Sequence, residues 1–244
     1  MDWTKAKNIL IAALLVTNLL LISSMLYGNA QAEAGDSQFL ANTVEVLKAR
    51  NITIDAELPS AQFRMPVLSV EYDNADIALI NELLSAQASL PDSQPSSIEA
   101  REMADRFIEQ CGLMTENVAF SSIDEFDNVF IVNYVDEIDG VAIEDSYMTC
   151  IVKDGKIESI DRLWLKPVEL GKTKKLVIPI AQALIKFMSD NPENEDITIQ
   201  EIKLVYWLDS VNFGVESPVS DTAFPAWKIV YNNGQIFRIN AFEQ

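Results

Sequence analysis

VFIVNYVDEI-DG-VAIEDSYMTCIVK-DG-KIESIDRLWL, residues 129–165, decides the fold. Branched and aromatic residues alternate with polar ones, as a half-buried strand requires, and Asp-Gly is the dipeptide that a two-residue hairpin turn favours. The stretch therefore reads as strands over 129–135, 141–152 and 156–165, joined by tight turns at Asp139-Gly140 and Asp154-Gly155, with another strand over 118–123 before them. Ser96 or Ser97 caps the helix upstream, whose Ile98, Met103, Phe107 and Ile108 are apolar and which stops at Cys111-Gly112.

Downstream the same order recurs. A helix over 178–190 carries Ile180, Leu184, Phe187 and Met188, and a strand over 199–208 follows an acidic loop. Two last strands, 227–231 and 235–242, meet at Asn233-Gly234. A shift of 80 places Ile98 on Ile178, Phe107 on Phe187 and Ile108 on Met188; a shift of 79 places Asp154-Gly155 on Asn233-Gly234, Ile157 on Ile236 and Ile160 on Ile239. Two offsets that differ by one residue and align a helix face and a hairpin imply a duplication.

Before the first unit stand a helix from Asp36 or Ser37 with Leu40, Val44 and Leu47 on one face, and strands over 52–54 and 67–72. A helix follows with Ile77, Ile80 and Leu84, then a Ser- and Pro-rich loop. Residues 166–175, with Pro167, Gly171 and four Lys, read as a link. The expected class is α+β: an N-terminal transmembrane helix, then two tandem, related helix-plus-antiparallel-sheet subdomains. Residues 37–165 form the first, with 37–96 as its extension; 166–177 are the linker and 178–244 the second.

The transmembrane helix is read from residues 9–26, which hold eleven Leu, Ile or Val and no charge. As a helix they span about 27 Å, close to the hydrocarbon thickness of a bilayer. Lys5 and Lys7 precede the run, while Glu33 and Asp36 follow the short tether over 28–36. The positive-inside rule then leaves residues 1–8 in the cytoplasm and the folded part outside, as a single-pass protein of the cell membrane. The rival reading is a signal peptide cleaved after Ala30-Gln31-Ala32. Within the span, Ala13, Thr17 and Ser24 share a helical stripe with Asn18 beside it, a face suited to packing against a partner helix.

Composition narrows the chemistry. Removing the first 27 residues takes away Lys5, Lys7 and Asp2, so the formal charge becomes −20 against −19 for the whole chain. That field excludes nucleic acid and points to proteins or cations as partners. Histidine is absent, and with it the commonest general base and metal ligand. Cys111 and Cys150 are read either as a disulfide or as two buried thiols.

Acidic groups cluster at Asp124, Glu125 and Asp127; at Asp136, Glu137 and Asp139; at Glu144 and Asp145; and at Glu193, Glu195 and Asp196. None completes a calcium loop, none fixes a glycosidase pair, and all read as solvated loop ends. There is no Gly-x-Ser-x-Gly, and Trp164, Trp207 and Trp227 read as filling core or inter-unit space. No catalytic, metal or cofactor residue is assigned.

The opening Met1-Asp2-Trp3 with Lys5, Lys7, the apolar run and Asn18-Leu19 resembles the start of the YycI (WalI) family. Leu47-Lys48, Asn51-Ile52, Leu58-Pro59, Pro225-Ala226-Trp227 and Ile239-Asn240-Ala241 are similar to it as well. The resemblance implies a membrane-anchored, non-enzymatic regulator that contacts a WalK/YycG-type sensor histidine kinase beside a YycH-like companion and controls cell-wall metabolism genes. A secreted or tethered binding or inhibitor module unrelated to a kinase is the alternative, and an envelope hydrolase using carboxylates a third.

Overall fold

A computed structural model describes residues 14, 17–18, 37–59, 63–87, 95–191, 196–208 and 220–242. Strands β4 (Val118–Phe126), β5 (Val129–Ile138), β6 (Val141–Lys153) and β7 (Lys156–Leu163) form an antiparallel meander. Each of its turns has two residues at positive φ: Asp127-Asn128 (46° and 63°), Asp139-Gly140 (52° and 78°) and Asp154-Gly155 (49° and 68°). This backbone matches the strand twist, and Asp and Asn enter it more readily than other side chains, which is why the first turn needs no glycine.

Helices α2 (Ile77–Ala86) and α3 (Ser97–Gln110) cover one face of the meander. α3 starts in a capping box: the Glu99 amide donates to the Ser96 hydroxyl (3.3 Å), and the Ser96 amide donates to the Glu99 carboxylate (2.7 Å). It ends where Gly112 takes φ of 68°. Ala100, Ala104, Phe107 and Ile108 pack on Val132, Tyr134, Met148 and Cys150. Ile80, Leu83 and Leu84 of α2 pack against the same core, and the Gln87 side chain accepts from the Ile157 amide at 2.7 Å.

The second layer contains β10 (Ile197–Trp207), β11 (Ser220–Tyr231) and β12 (Gln235–Asn240), paired antiparallel, with α4 (Ile180–Asp190) on the inner face. Three earlier or intervening strands join it: β1 (Ile52–Ile54) parallel to β10, β3 (Leu68–Tyr72) antiparallel to β11, and β8 (Leu165–Leu170) antiparallel to β3. Pro225 sits inside β11 without breaking the ladder. Its carbonyl accepts from Ala241 (2.8 Å), so its missing N–H points to the same side, between the last β3 pair at Ala223 and the first β12 pair at Ala226.

Two expectations about the layout change. Residues 166–177 are not a bare link: they hold β8 and the two-residue β9 (Lys175–Leu176), which pairs with β2 (Arg64–Met65). Chain order groups residues 37–96 with the first unit, but packing divides them. α1 (residues 37–49), β1 and β3 give Leu47, Ile52, Leu68 and Val70 to the core under α4, while α2 serves the first core. The two sheets are also continuous, as one mixed ten-stranded sheet joined through β6 and β10.

The recurrence of the helix face is visible in the burial. A shift of 80 carries the buried face Ala100, Ala104 and Phe107 of α3 onto the buried Ile180, Leu184 and Phe187 of α4. Two aligned pairs part company. Ile98, one residue into α3, is 70% exposed, whereas Ile178 is buried ahead of α4. Ile157 is buried, whereas Ile236 is 42% exposed and Phe237 turns inward. The reason is local: Glu158 is an extra residue in β7, and the second hairpin turn has three residues at positive φ, Asn232, Asn233 and Gly234.

Candidate functional site

The joint between the layers is where the chain departs most from regular structure. β5 and β6 pair at Val135 with Tyr147 and again at Glu137 with Ala142, so two steps along β5 face five along β6. Residues 143–146 leave the meander. Ile143 pairs with Tyr206 of β10, and Asp145 turns the chain at φ of 64°. The Ser146 hydroxyl accepts from the Leu165 amide at 3.0 Å.

Glu144 is carried across to the second layer. Its carboxylate accepts from Lys228 of β11 (3.0 Å) and Arg238 of β12 (2.6 Å). At 7% exposure it is a buried anion between two cations that keep partial contact with water. Removing it takes away the carboxylate that Lys228 and Arg238 share and leaves Arg238 with Asp145 at 3.5 Å, so it acts as a latch between the layers.

Two further chain crossings meet nearby. β3 passes to α2 through 73–76, and β7 passes to β8 at Trp164. The Asp73 amide donates to the Trp164 carbonyl (3.0 Å), and Arg162 donates to the Asp73 carbonyl (2.8 Å) and pairs with its carboxylate. The same guanidinium lies 5.3 Å from the Trp164 ring centre.

Asp136 belongs to this group. It follows Phe130, Val132 and Tyr134 on the inward side of β5 and is 1% exposed, with both carboxylate oxygens lacking a hydrogen-bond partner. Burial pushes its carboxyl up to about 7, against the opposing pull of Arg162 and the Trp164 indole. The Arg162 Nε is likewise buried without a partner.

A cleft of about 1060 Å³ opens beside the joint. It is lined by the β5–β6 hairpin, by Phe63 to Pro66, and by Glu201, Lys203 and Lys228 of the second layer. Both acids and bases line it, so it offers polar contacts of both signs of charge. The joint thus combines an ion cluster, a buried carboxyl under the influence of an arginine, and a groove of mixed charge.

The sequence-read residues fall as follows. Thr17 and Asn18 of the membrane stripe are helical and exposed, while Ala13 and Ser24 lie outside the described residues. Most of the apolar run 9–26 lies outside them too, and among the described residues no helix is long and apolar enough to cross a membrane. Of the acidic clusters, Asp136 and Glu144 are not solvated loop ends but buried at the joint. Asp124 and Asp139 stay at the surface or in turns, and Glu193 and Glu195 lie outside the described residues.

Among the described residues no cluster of three or more acids and cysteines could hold a metal. The cysteines are buried free thiols, and burial, with Cys111 and Asp105 nearby, pushes Cys150 up to about 12. Trp164 and Trp227 are core residues, the latter donating to the Ile178 carbonyl at 2.9 Å.

Comparison with known proteins adds three findings. Among solved structures, the C-terminal domain of Bacillus megaterium YpeB is similar over 64% of this chain and 64% of its own, less than two thirds of either. It has 16% identity and a TM-score of 0.37, too distant to carry an argument. A comparison with curated proteins returns no match. The model of the YycI protein family matches residues 34–242, nearly the whole folded part and both layers of the joint, and the chain therefore belongs to the YycI family.

Proposed function

We propose that the chain is a membrane-anchored, non-enzymatic regulator of a YycG/WalK-type sensor histidine kinase, acting with a YycH-like companion. The observation that carries this reading is family membership over residues 34–242, joined to the apolar run 9–26 with Lys5 and Lys7 ahead of it. Residues 1–8 stay in the cytoplasm, 9–27 span the membrane, and both layers stand outside. The anchor packs through Ala13, Thr17, Asn18 and Ser24 on the kinase's transmembrane helices and biases them between two signalling states. Such a shift needs several kcal/mol of differential contact, more than one amide supplies, so the folded layers contribute partner choice and effective concentration.

Asn18→Leu keeps the span apolar and removes its hydrogen-bonding amide. Kinase-dependent reporter expression is expected to change severalfold while the level of membrane-bound protein stays constant. Unaltered expression at equal protein level removes the intramembrane contact from the account.

A further inference from the structure

We propose that the joint is proton-responsive: Asp136, neutral when the layers are firmly held, competes with Asp73 for Arg162 once ionised, and so loosens the β3–α2 crossing. Neither oxygen of this buried carboxyl makes a well-formed hydrogen bond, the Trp164 indole being the donor that bears on it, and such a carboxyl is rare enough in folded proteins to require a reason. Arg162, the cation whose charge acts on Asp136, has a buried Nε donor that also lacks a partner. Once Asp136 is ionised the two groups have opposite charge and complementary hydrogen-bonding need.

The surroundings leave Arg162 as the charged group that answers Asp136. On β4 the residue opposite is Val118. The β6 excursion carries Glu144 and Asp145, whose carboxylates go to Lys228 and Arg238. On α3, Asp105 accepts from the Tyr134 hydroxyl at 2.7 Å. Glu137 and Asp139 follow on the same strand and its turn, with the Glu137 amide bonded to Asn117 at 2.9 Å.

Burial raises the Asp136 carboxyl to about 7, above its ordinary value, so the firm joint is favoured at low pH and lost as pH rises through about 7. Below that point Arg162 is given wholly to Asp73. Above it the ionised Asp136 draws on the same guanidinium, and the strap formed by Asp73 with Arg162 and Trp164 weakens. This inference does not depend on which partner the chain contacts.

The test is amide hydrogen exchange on the full chain in detergent micelles at about pH 6 and about pH 8, corrected for the chemical exchange rate. The Asp73 amide, bonded to Trp164, is expected to exchange about fivefold faster at the higher pH, while amides in the middle of β10 hold constant. Asp136→Asn is expected to keep the low-pH protection at both values. The carboxyl carbon of Asp136, followed by NMR in the unaltered chain, is expected to titrate between about pH 6 and 8. Equal Asp73 protection at both pH values, the same pH response in Asp136→Asn, or titration of Asp136 in the ordinary carboxylate range would each overturn the proposal.

Discussion

Phe187→Ala is expected to destabilise the fold by about 3–5 kcal/mol. Its ring is fully buried and meets Tyr231 at 5.0 Å and Phe237 at 5.3 Å, both edge-on. Truncation forfeits the transfer energy, two aromatic contacts and the filling of a cavity walled by α4 and β12. Urea unfolding should show a lower midpoint at unchanged slope. Phe107→Ala makes the matching cavity under α3, and hydrogen exchange should loosen the meander first there but the β10–β12 sheet first in Phe187→Ala. A loss below about 1 kcal/mol for Phe187→Ala contradicts the packing described.

Glu144→Ala is expected to destabilise by about 3 kcal/mol. The low end of the range for a broken buried ion pair applies because Lys228 and Arg238 are each about a fifth to a quarter exposed (22% and 24%) and recover some hydration. Because Glu144 comes from β6 and its partners from β11 and β12, the loss should fall on the joint: two urea transitions in place of one. Replacing all three residues with apolar ones of similar size should recover much of the stability, since well-packed apolar groups often match a buried ion cluster. A change below about 1 kcal/mol for Glu144→Ala would mean that the cluster behaves as a surface ion pair.

Much of the fold is legible because local chemistry and tertiary structure agree. Ser96 with Glu99 marks the start of α3, the Asp-Gly pairs mark two hairpins, and Phe107 and Phe187 mark the buried faces of α3 and α4. What sequence misses depends on which surface meets which. Leu47, Ile52 and Leu68 are apolar at proper spacings, but nothing local says that their core lies under α4, more than 100 residues away. β8 is hidden by Pro167, its own Lys166 and the lysines that follow at 172, 174 and 175, a composition that reads as a connector, yet Pro and Lys suit an edge strand.

The joint was half legible. Alternation in β5 puts Asp136 on the side of Phe130, Val132 and Tyr134, and that parity is a true burial signal. The general exposure of acids outweighs it unless the neighbouring cation is known, and that cation, Arg162, comes from a strand two hairpins later. Glu144 carries no such mark, because its burial follows from the excursion of β6, which breaks the alternation on which the reading relies.

The central claim is that a retained membrane helix holds this YycI-family chain against a sensor kinase. A photoreactive side chain placed at Asn18 of the full chain, activated in intact cells, tests it most directly. The account predicts an intact amino-terminal helix and a covalent adduct with the kinase. A native chain that begins at Glu33, or an Asn18 crosslink that captures no kinase, would contradict it.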